Sequence, residues 1–459
     1  MPDTLSGHAS AVICGAGIAG VSCAYQLAVG QGMSEVVLVE EGAPLSLTSD
    51  KSTECYRNWW PGPGNDLVRF MNRSIDLLEG FTHRSGDRFQ MNRRGYLFAT
   101  AEPDTVSLYE AAGEEGVARG VGPMRRHPGP VPYEPHALTG IDSELDGTDL
   151  ITDSALIRHH FPYLSEDTVA VLHVRRCGWL SAQQLGAYWL EQAREAGVRL
   201  VTGKVIGVAA KGRVEAVTIE TAQGIHRIDT PTFVNAAGPH AKAVGALCGL
   251  DLPLLNERHV KVSIEDAEGA MGRDAPLVVW SDPIELPWSD DEREALGADP
   301  ETRRLLECFP AGAHGRPVGG GDASTILLYW TYEAHIDEPV FPFDWDPHYP
   351  EIALRGMSVM LPGLRAYYGR LPRPFVDGGY YTKTEENRPL IGPTGVHGAY
   401  LCAGFSGFGI MAAAAAGELL SLYVAGKPVP DYAGAFLLSR YDDPTYQALL
   451  KDWPDSGQL

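Results

Sequence analysis

The stretch that most limits what this chain can fold into lies near its start. Ala11 to Cys14 has the apolar character of a short strand. It runs into the spacing Gly15-x-Gly17-x-x-Gly20 and then into the apolar, helix-compatible segment Val21 to Val29. In such a strand–turn–helix unit the first glycine permits the tight turn, the second lets a pyrophosphate approach the backbone, and the third allows helix and strand to pack closely. Gly15, Gly17 and Gly20 fit these roles, and Ile18 and Ala19 open a helix whose positive dipole end favours an anion. A second strand, Glu35 to Val39, ends at Glu40, with Glu41 beside it, roughly twenty positions past the last glycine, where ribose hydroxyls need an acceptor. An adenine dinucleotide is implied. The spacing does not separate NAD from FAD, which share the ADP half. A nicotinamide enzyme would continue with alternating strands and helices. This chain turns instead into a polar segment, Thr48 to Gly64, that becomes aromatic and proline-rich at Trp59, Trp60, Pro61 and Pro63. That favours a flavin.

A chain of 459 residues exceeds what one core usually organises, so two domains are expected. The 44% hydrophobic content against 21% charged residues supplies core enough for both without staples. The formal charge of -22 opposes the phosphates that a nucleic-acid binder must neutralise, which excludes that class of partner. Cys14, Cys23, Cys55, Cys177, Cys248, Cys308 and Cys402 stand singly, without C-x-x-C spacing, and read as reduced thiols with no metal site. The polar start, Met1 to Ser10, lacks the features of a secretory signal, and no stretch approaches the ~18 apolar residues of a membrane span. A cytoplasmic protein away from membranes is the expectation.

Further along, a helical pattern covers Asn65 to Leu78, and Phe81 to Tyr163 mixes strand-like pieces with breakers such as Gly122, Pro123, Pro128 and Pro130. Ser181 to Glu195 predicts an amphipathic helix. Val198 to Val201 and Gly203 to Ala209 predict strands, Val214 to Glu220 with Ile225 to Ile228 a hairpin, and Phe233 to Asn235 a buried strand. Pro283 to Gly321 is acidic and rich in glycine and proline, and reads as an insertion or mobile loop. A strand at Thr325 to Trp330, a helix near Glu351 to Met360, a strand at Ala399 to Leu401 and a small-residue helix from Ile410 to Val424 follow.

Four segments together resemble the FAD-dependent D-amino-acid oxidase superfamily, which includes glycine oxidase, sarcosine oxidases and dye-linked proline dehydrogenases. They are Val12 to Gly20 with Glu40, Thr48 to Arg57, Gly178 to Pro239 ending in Val234-Asn235-Ala236-Ala237-Gly238-Pro239, and Tyr381 to Gly392 followed by Gly404-Phe405-Ser406-Gly407-Phe408-Gly409. The resemblance implies an α/β protein in which a Rossmann-like FAD-binding domain is interleaved with a substrate domain built on a mixed, largely antiparallel sheet. The FAD-binding domain would take residues 1–80, 176–250 and 376–459. The substrate domain would take 81–175 and 251–375, with 282–322 inserted in it. Ser49, Ser52 and Thr53 would lie beside the flavin, Val205 would meet the adenine, and Ala237 and Gly238 would end a strand next to the cofactor. Gly404, Ser406, Gly407, Phe408, Gly409 and Ile410 would bring backbone N–H groups and a helix dipole to the flavin's pyrimidine edge.

Departures from the family matter as well. The cysteine that holds flavin covalently in monomeric sarcosine oxidase corresponds to Gly379 here, so the FAD is expected to be non-covalent. The arginine that glycine oxidase places near Tyr381, and the lysine that sarcosine oxidase carries at the position of Met411, are both absent. Arg57 remains, where sarcosine oxidases bind a carboxylate. A planar guanidinium there either clamps a substrate carboxylate or makes a structural ion pair. Tyr381, Trp330 and His259 are the other catalytic candidates, with Trp59, Trp60, Tyr380, Tyr332 and Arg258 around them. For Trp330 and Tyr332, core packing is the competing explanation.

The expected reaction oxidises a carbon–nitrogen bond of a small amine or amino acid by hydride transfer to the flavin, giving an imine that hydrolyses, with electrons passed to oxygen or another acceptor. Related oxidases place a lysine at a site that falls between Ile326 and Tyr329, where this chain has none, which tilts the expectation toward a dehydrogenase. A glycerol-3-phosphate-type alcohol dehydrogenase and a non-catalytic flavin-bearing scaffold are the alternatives.

Overall fold

The computed structural model describes residues 7–60, 62–129, 132–320, 323–342, 344–451 and 453. Pro61, Pro130 and Gly321, used above as loop markers, and Met1 to Ser6 of the polar start lie outside them.

Among the described residues the chain builds two large sheets. The first has six strands in the order Leu390–Pro393, Ala399–Ala403, Phe233–Asn235, Ala11–Cys14, Val36–Glu40 and Arg199–Thr202, parallel except for the first pair. Its central strands read AVIC and FVN and are buried throughout, as strands covered on both faces require. The glycine-rich turn leads into the helix Ile18–Tyr25, which begins before the apolar stretch that suggested it and closes in a π-helical turn, Gln26–Gly30. The helix Gly409–Val424 packs against it, and the two approach closely enough for Ser22 Oγ to donate to the Ala413 carbonyl at 2.6 Å. The expected hairpin is present within a small antiparallel sheet, Lys204–Ala210, Val214–Thr221 and Gly224–Asp229.

The second sheet has nine strands in the order Phe375–Lys383, Leu255–Glu265, Thr325–Tyr329, His314–Pro317, Leu277–Trp280, Tyr96–Thr100, Ala170–Val174, Thr148–Ile151 and Met124–His127. Most neighbours run antiparallel. The strands of the two sheets alternate along the sequence, giving the mixed α/β fold that the sequence led us to expect.

Three expectations change. The boundary at 376 cuts through the strand Phe375–Lys383, which belongs to the nine-stranded sheet. Within the segment 282–322, the described residues 282–320 are not a loop. It carries the helix Asp290–Ala298, opened by a Ser289–Glu292 capping box, and the strand His314–Pro317, which lies inside the sheet. The breaker-rich region after Phe81 contains a full helix, Thr105–Arg119, whose internal glycines Gly113 and Gly116 are buried against Met124 and Trp59. Those glycines obscured its pattern.

The faces of the second sheet decide which side chains meet the site. Side chains alternate along a strand, and residues paired across a sheet share a face. Val262, Ile264, Ile326, Leu328 and Trp330 therefore enter one apolar core with the helix Tyr349–Met360. The opposite face collects Glu257, His259 and Lys261, their partners Tyr381, Gly379 and Asp377, and Tyr329, which pairs with Lys261.

Candidate active site

A cavity of about 530 Å³ opens between the strand ends of the six-stranded sheet and the second face of the nine-stranded one. At its floor Gly15 has φ +100°, and a Cβ there would come 2.5 Å from the Ala236 carbonyl oxygen. A Cβ on Gly20 would come 1.8 Å from the Gly15 carbonyl oxygen, so only glycine lets the helix sit this close to the turn. Glu40 is fixed at the rim, its carboxylate accepting from Ala16 N at 2.7 Å and Gly42 N at 3.0 Å. Ser49 Oγ accepts from Ile18 N at 2.9 Å, tying the segment after the second strand to the helix start.

Two helix N-termini, at Ile18 and at Gly409, reach this cavity. Lys204 is the one cation among the described lining residues, and it pairs with Glu41 at 3.3 Å. A diphosphate here could therefore be held by main-chain N–H groups and helix dipoles rather than by side-chain cations, which is the donor set that an adenine dinucleotide needs. Cys14 also lines the cavity, and burial pushes its thiol up to about 12, leaving it a poor nucleophile.

The other wall carries side chains. Tyr381 lines the cavity, and His259 stacks behind it with ring centroids 3.7 Å apart. His259 Nε2 meets Glu257 Oε1 at 2.7 Å, and Lys383 Nζ donates to Glu257 Oε2 at 2.6 Å. Burial raises the Glu257 carboxyl, but hydrogen bonds from His259 and Lys383 bring it down to about 2. Burial also lowers His259 below its ordinary value. Arg57 sits on the short strand Cys55–Arg57, which pairs with Cys177–Trp179. Its buried guanidinium lies over the Trp60 ring at 4.2 Å, and Trp60 meets the edge of Phe408 at 4.9 Å. Burial pushes this arginine down, while the neutral groups Tyr96, Cys177, Cys55 and Tyr381 act in the other direction.

A family model described as "FAD dependent oxidoreductase", the DAO family, matches residues 10–422. The chain belongs to this family. It is 25% identical over 433 residues to mitochondrial dimethylglycine dehydrogenase of Rattus norvegicus, covering 93% of this chain but only 44% of that protein. It thus spans less than half the length of that relative. L-proline dehydrogenase from P.horikoshii shares the fold with a TM-score of 0.72 at 21% identity, over 95% of this chain and 99% of that one. Glycine oxidase from Geobacillus kaustophilus does so with a TM-score of 0.71 at 16% identity, over 95% and 99%. The chain is accordingly a DAO-family oxidoreductase whose cofactor is FAD.

Within this DAO-family framework, the residues expected around the cofactor line the cavity, apart from Gly20, Thr53 and Phe408. Gly20 sits one layer below as a packing residue. The Thr53 carbonyl accepts from Arg316 Nε at 2.9 Å, and Phe408 turns its ring to Trp60. Trp330 does not face the site. Its ring lies over Gly356, where a Cβ would come 2.4 Å from it, and its Nε1 donates to the Pro310 carbonyl at 3.1 Å. Strand alternation puts Tyr329 and Thr331 toward His259 in its place. Tyr332 joins Trp330 in the core, stacked on Tyr349. Arg258, on the face opposite His259, pairs with Asp337 at 2.6 Å. Trp59 packs against Gly116.

Sequence reasoning missed Glu257, Lys383, Tyr329 and Lys261. No lysine lies between Ile326 and Tyr329, but Lys261 is placed directly opposite Tyr329 and its Nζ donates to the Ser52 carbonyl at 2.8 Å. Lys261 stands on the neighbouring strand, and the position between Ile326 and Tyr329 is without a lysine. The segment Leu255–Glu265 carries the signal that could have found these residues. Apolar Val260, Val262 and Ile264 alternate with polar Glu257, His259, Lys261 and Ser263.

Proposed function

We propose that this chain oxidises the carbon–nitrogen bond of a small amine that also bears a carboxylate, an amino acid or N-alkyl amino acid, with FAD held non-covalently. The observation that carries this reading is the buried Arg57 guanidinium, which lies over the Trp60 ring, itself packed on Phe408 between the cavity-lining Gly407 and Gly409. A guanidinium offers two parallel donors to a carboxylate, and burial strengthens that pairing. The substrate's carboxylate would be drawn to Arg57 and its amine directed along the wall toward Tyr381. His314, on which Arg57 acts, is pushed mainly by burial to about 4 and stays neutral. Bound FAD supplies the two-electron acceptor, so the chain's own residues need only bind, orient and deprotonate. Non-covalent attachment is supported by Gly379, where a Cβ would already press on Thr48 Cα at 3.3 Å, and by the raised thiol of Cys14.

The test is to mix the anaerobic yellow protein with N-methyl amino acids, imino acids, D- and L-amino acids, and polyols including glycerol 3-phosphate, and to follow flavin absorbance. Bleaching by a carboxylated amine is expected. Bleaching by polyols alone overturns the proposal.

A further inference from the structure

Where the two walls of the cavity approach solvent, a third piece of chain joins them. Tyr380, on the strand Phe375–Lys383, lines the cavity from the nine-stranded sheet. His240 lines it from the other side, at the end of the short 3-10 turn Gly238–His240 that follows the strand Phe233–Asn235, and is exposed. The half-buried Phe341 ring packs edge-on against both, with centroids 5.3 Å from Tyr380 and 6.2 Å from His240. The main chain of Val340 adds two bonds to the same tyrosine. Its N–H donates to the Tyr380 hydroxyl at 3.2 Å, and that hydroxyl donates to the Val340 carbonyl at 3.3 Å.

Residues 333–342 bring Phe341 there, and they are weakly attached. Their first part runs beside the start of the strand Leu255–Glu265. The His335 carbonyl accepts from Arg258 N at 2.8 Å, Ile336 bridges to Glu257, and Asp337 N donates to the Asn256 carbonyl at 3.0 Å. Ion pairs fasten the segment from outside. Arg258 pairs with Asp337 at 2.6 Å, and Arg304 pairs with Glu333 and, at 3.5 Å, with Asp346. Little apolar burial is added, since Ile336 and Val340 remain 57% and 61% exposed. A segment held by a few bonds and partly exposed ion pairs opens at a lower free energy than the sheet on which it rests.

A dinucleotide seated between two walls leaves by the end that yields first. We propose that residues 333–342 form a clasp across the walls, and that its local opening is the step that releases and admits FAD, an inference that rests on the non-covalent attachment argued above. Opening breaks the two bonds between Val340 and Tyr380 and withdraws Phe341 from its contacts with Tyr380 and His240. Beneath the clasp, Asn256 Nδ2 donates to the Pro239 carbonyl at 3.0 Å, so the solvent end widens while the walls stay joined. Neither Phe341 nor Arg304 lines the cavity, so an effect of either on FAD passes through the clasp.

The test follows FAD leaving the holoprotein after large dilution, read by the fluorescence of the freed flavin, beside amide hydrogen exchange of residues 333–342. Phe341→Ala, which removes the ring contacts, should release FAD about tenfold faster. Arg304→Gln should do so about threefold faster, and Arg304→Lys, which keeps the charge, should stay close to the unmutated rate. In Phe341→Ala and Arg304→Gln, exchange should quicken within residues 333–342 and stay unchanged in the helix Ile18–Tyr25 of the opposite wall. An unchanged release rate in either variant overturns the clasp. Exchange that quickens equally in that helix does so too, because it reports general loosening. Flavin that remains on the acid-denatured protein refutes the non-covalent reading, and a clasp that releases nothing fails with it.

Discussion

The two walls of the cavity are made of different material. The six-stranded sheet offers main chain: the turn at Gly15, the helix start at Ile18, and the Gly404–Gly409 segment with the helix that follows. The nine-stranded sheet offers side chains: Tyr381 lines the cavity, Glu257, His259, Lys261 and Tyr329 stand behind it on the same face, and Arg57 lies on the short strand Cys55–Arg57. A main-chain wall recognises a diphosphate through groups that every residue possesses, so what it demands of the sequence is the absence of side chains. A side-chain wall can be altered one group at a time. Substitutions on the first wall should act as all or none, and those on the second in degrees.

Gly20→Val is the sharpest way to break this distinction, because its side chain would have to displace the backbone at Gly15. Purification of a colourless protein that stays colourless after incubation with FAD is expected. A full complement of flavin would show that the main-chain wall tolerates bulk. Next in size is Trp330→Ala, which empties a buried site behind the second wall and should cost about 3–5 kcal/mol in a denaturant titration. The surviving holoprotein should keep its KM for the amine. A KM raised tenfold or more would return Trp330 to the site.

Glu257→Gln probes the charge of the side-chain wall. The folded carboxyl sits at about 2, below its ordinary value, so its contribution is present above the ordinary carboxylate range and is lost as pH falls toward that value. Discounted for solvent screening, about 1 kcal/mol of stability should disappear over that window in the unmutated protein and be missing at all pH in the variant. Identical acid limbs in denaturation curves would contradict the ion-pair geometry. Smallest is Arg258→Gln, on the opposite face of the same strand. Its partly exposed pair with Asp337 should be worth about 0.5 kcal/mol or less, with no change in KM.

The contrast between the walls also explains what could be read in advance. The diphosphate wall is local in sequence: strand, glycine turn, helix and acidic strand end follow one another within the span Ala11–Glu40, so spacing alone carried it. The side-chain wall is assembled by pairing distant strands. Lys261 meets Tyr329, and Glu257 meets Tyr381, only through register, which no spacing encodes. Trp330 drew attention as a large aromatic on a legible strand, but the face of that strand was set by the helix Tyr349–Met360 packing on it. The strand His314–Pro317 was hidden because its glycine and proline, within an acidic surrounding, resemble a loop until neighbours on both sides pair with it.

The central claim is that the side-chain wall selects a carboxylated amine through Arg57. Its most direct test compares anaerobic flavin reduction by proline and by pyrrolidine, the same ring without its carboxylate, in the unmutated protein and in Arg57→Met. The expected result is a preference for proline of roughly a hundredfold in kcat/KM, about 3 kcal/mol, that collapses in the variant while its flavin spectrum stays unchanged. An undiminished preference in Arg57→Met would contradict it.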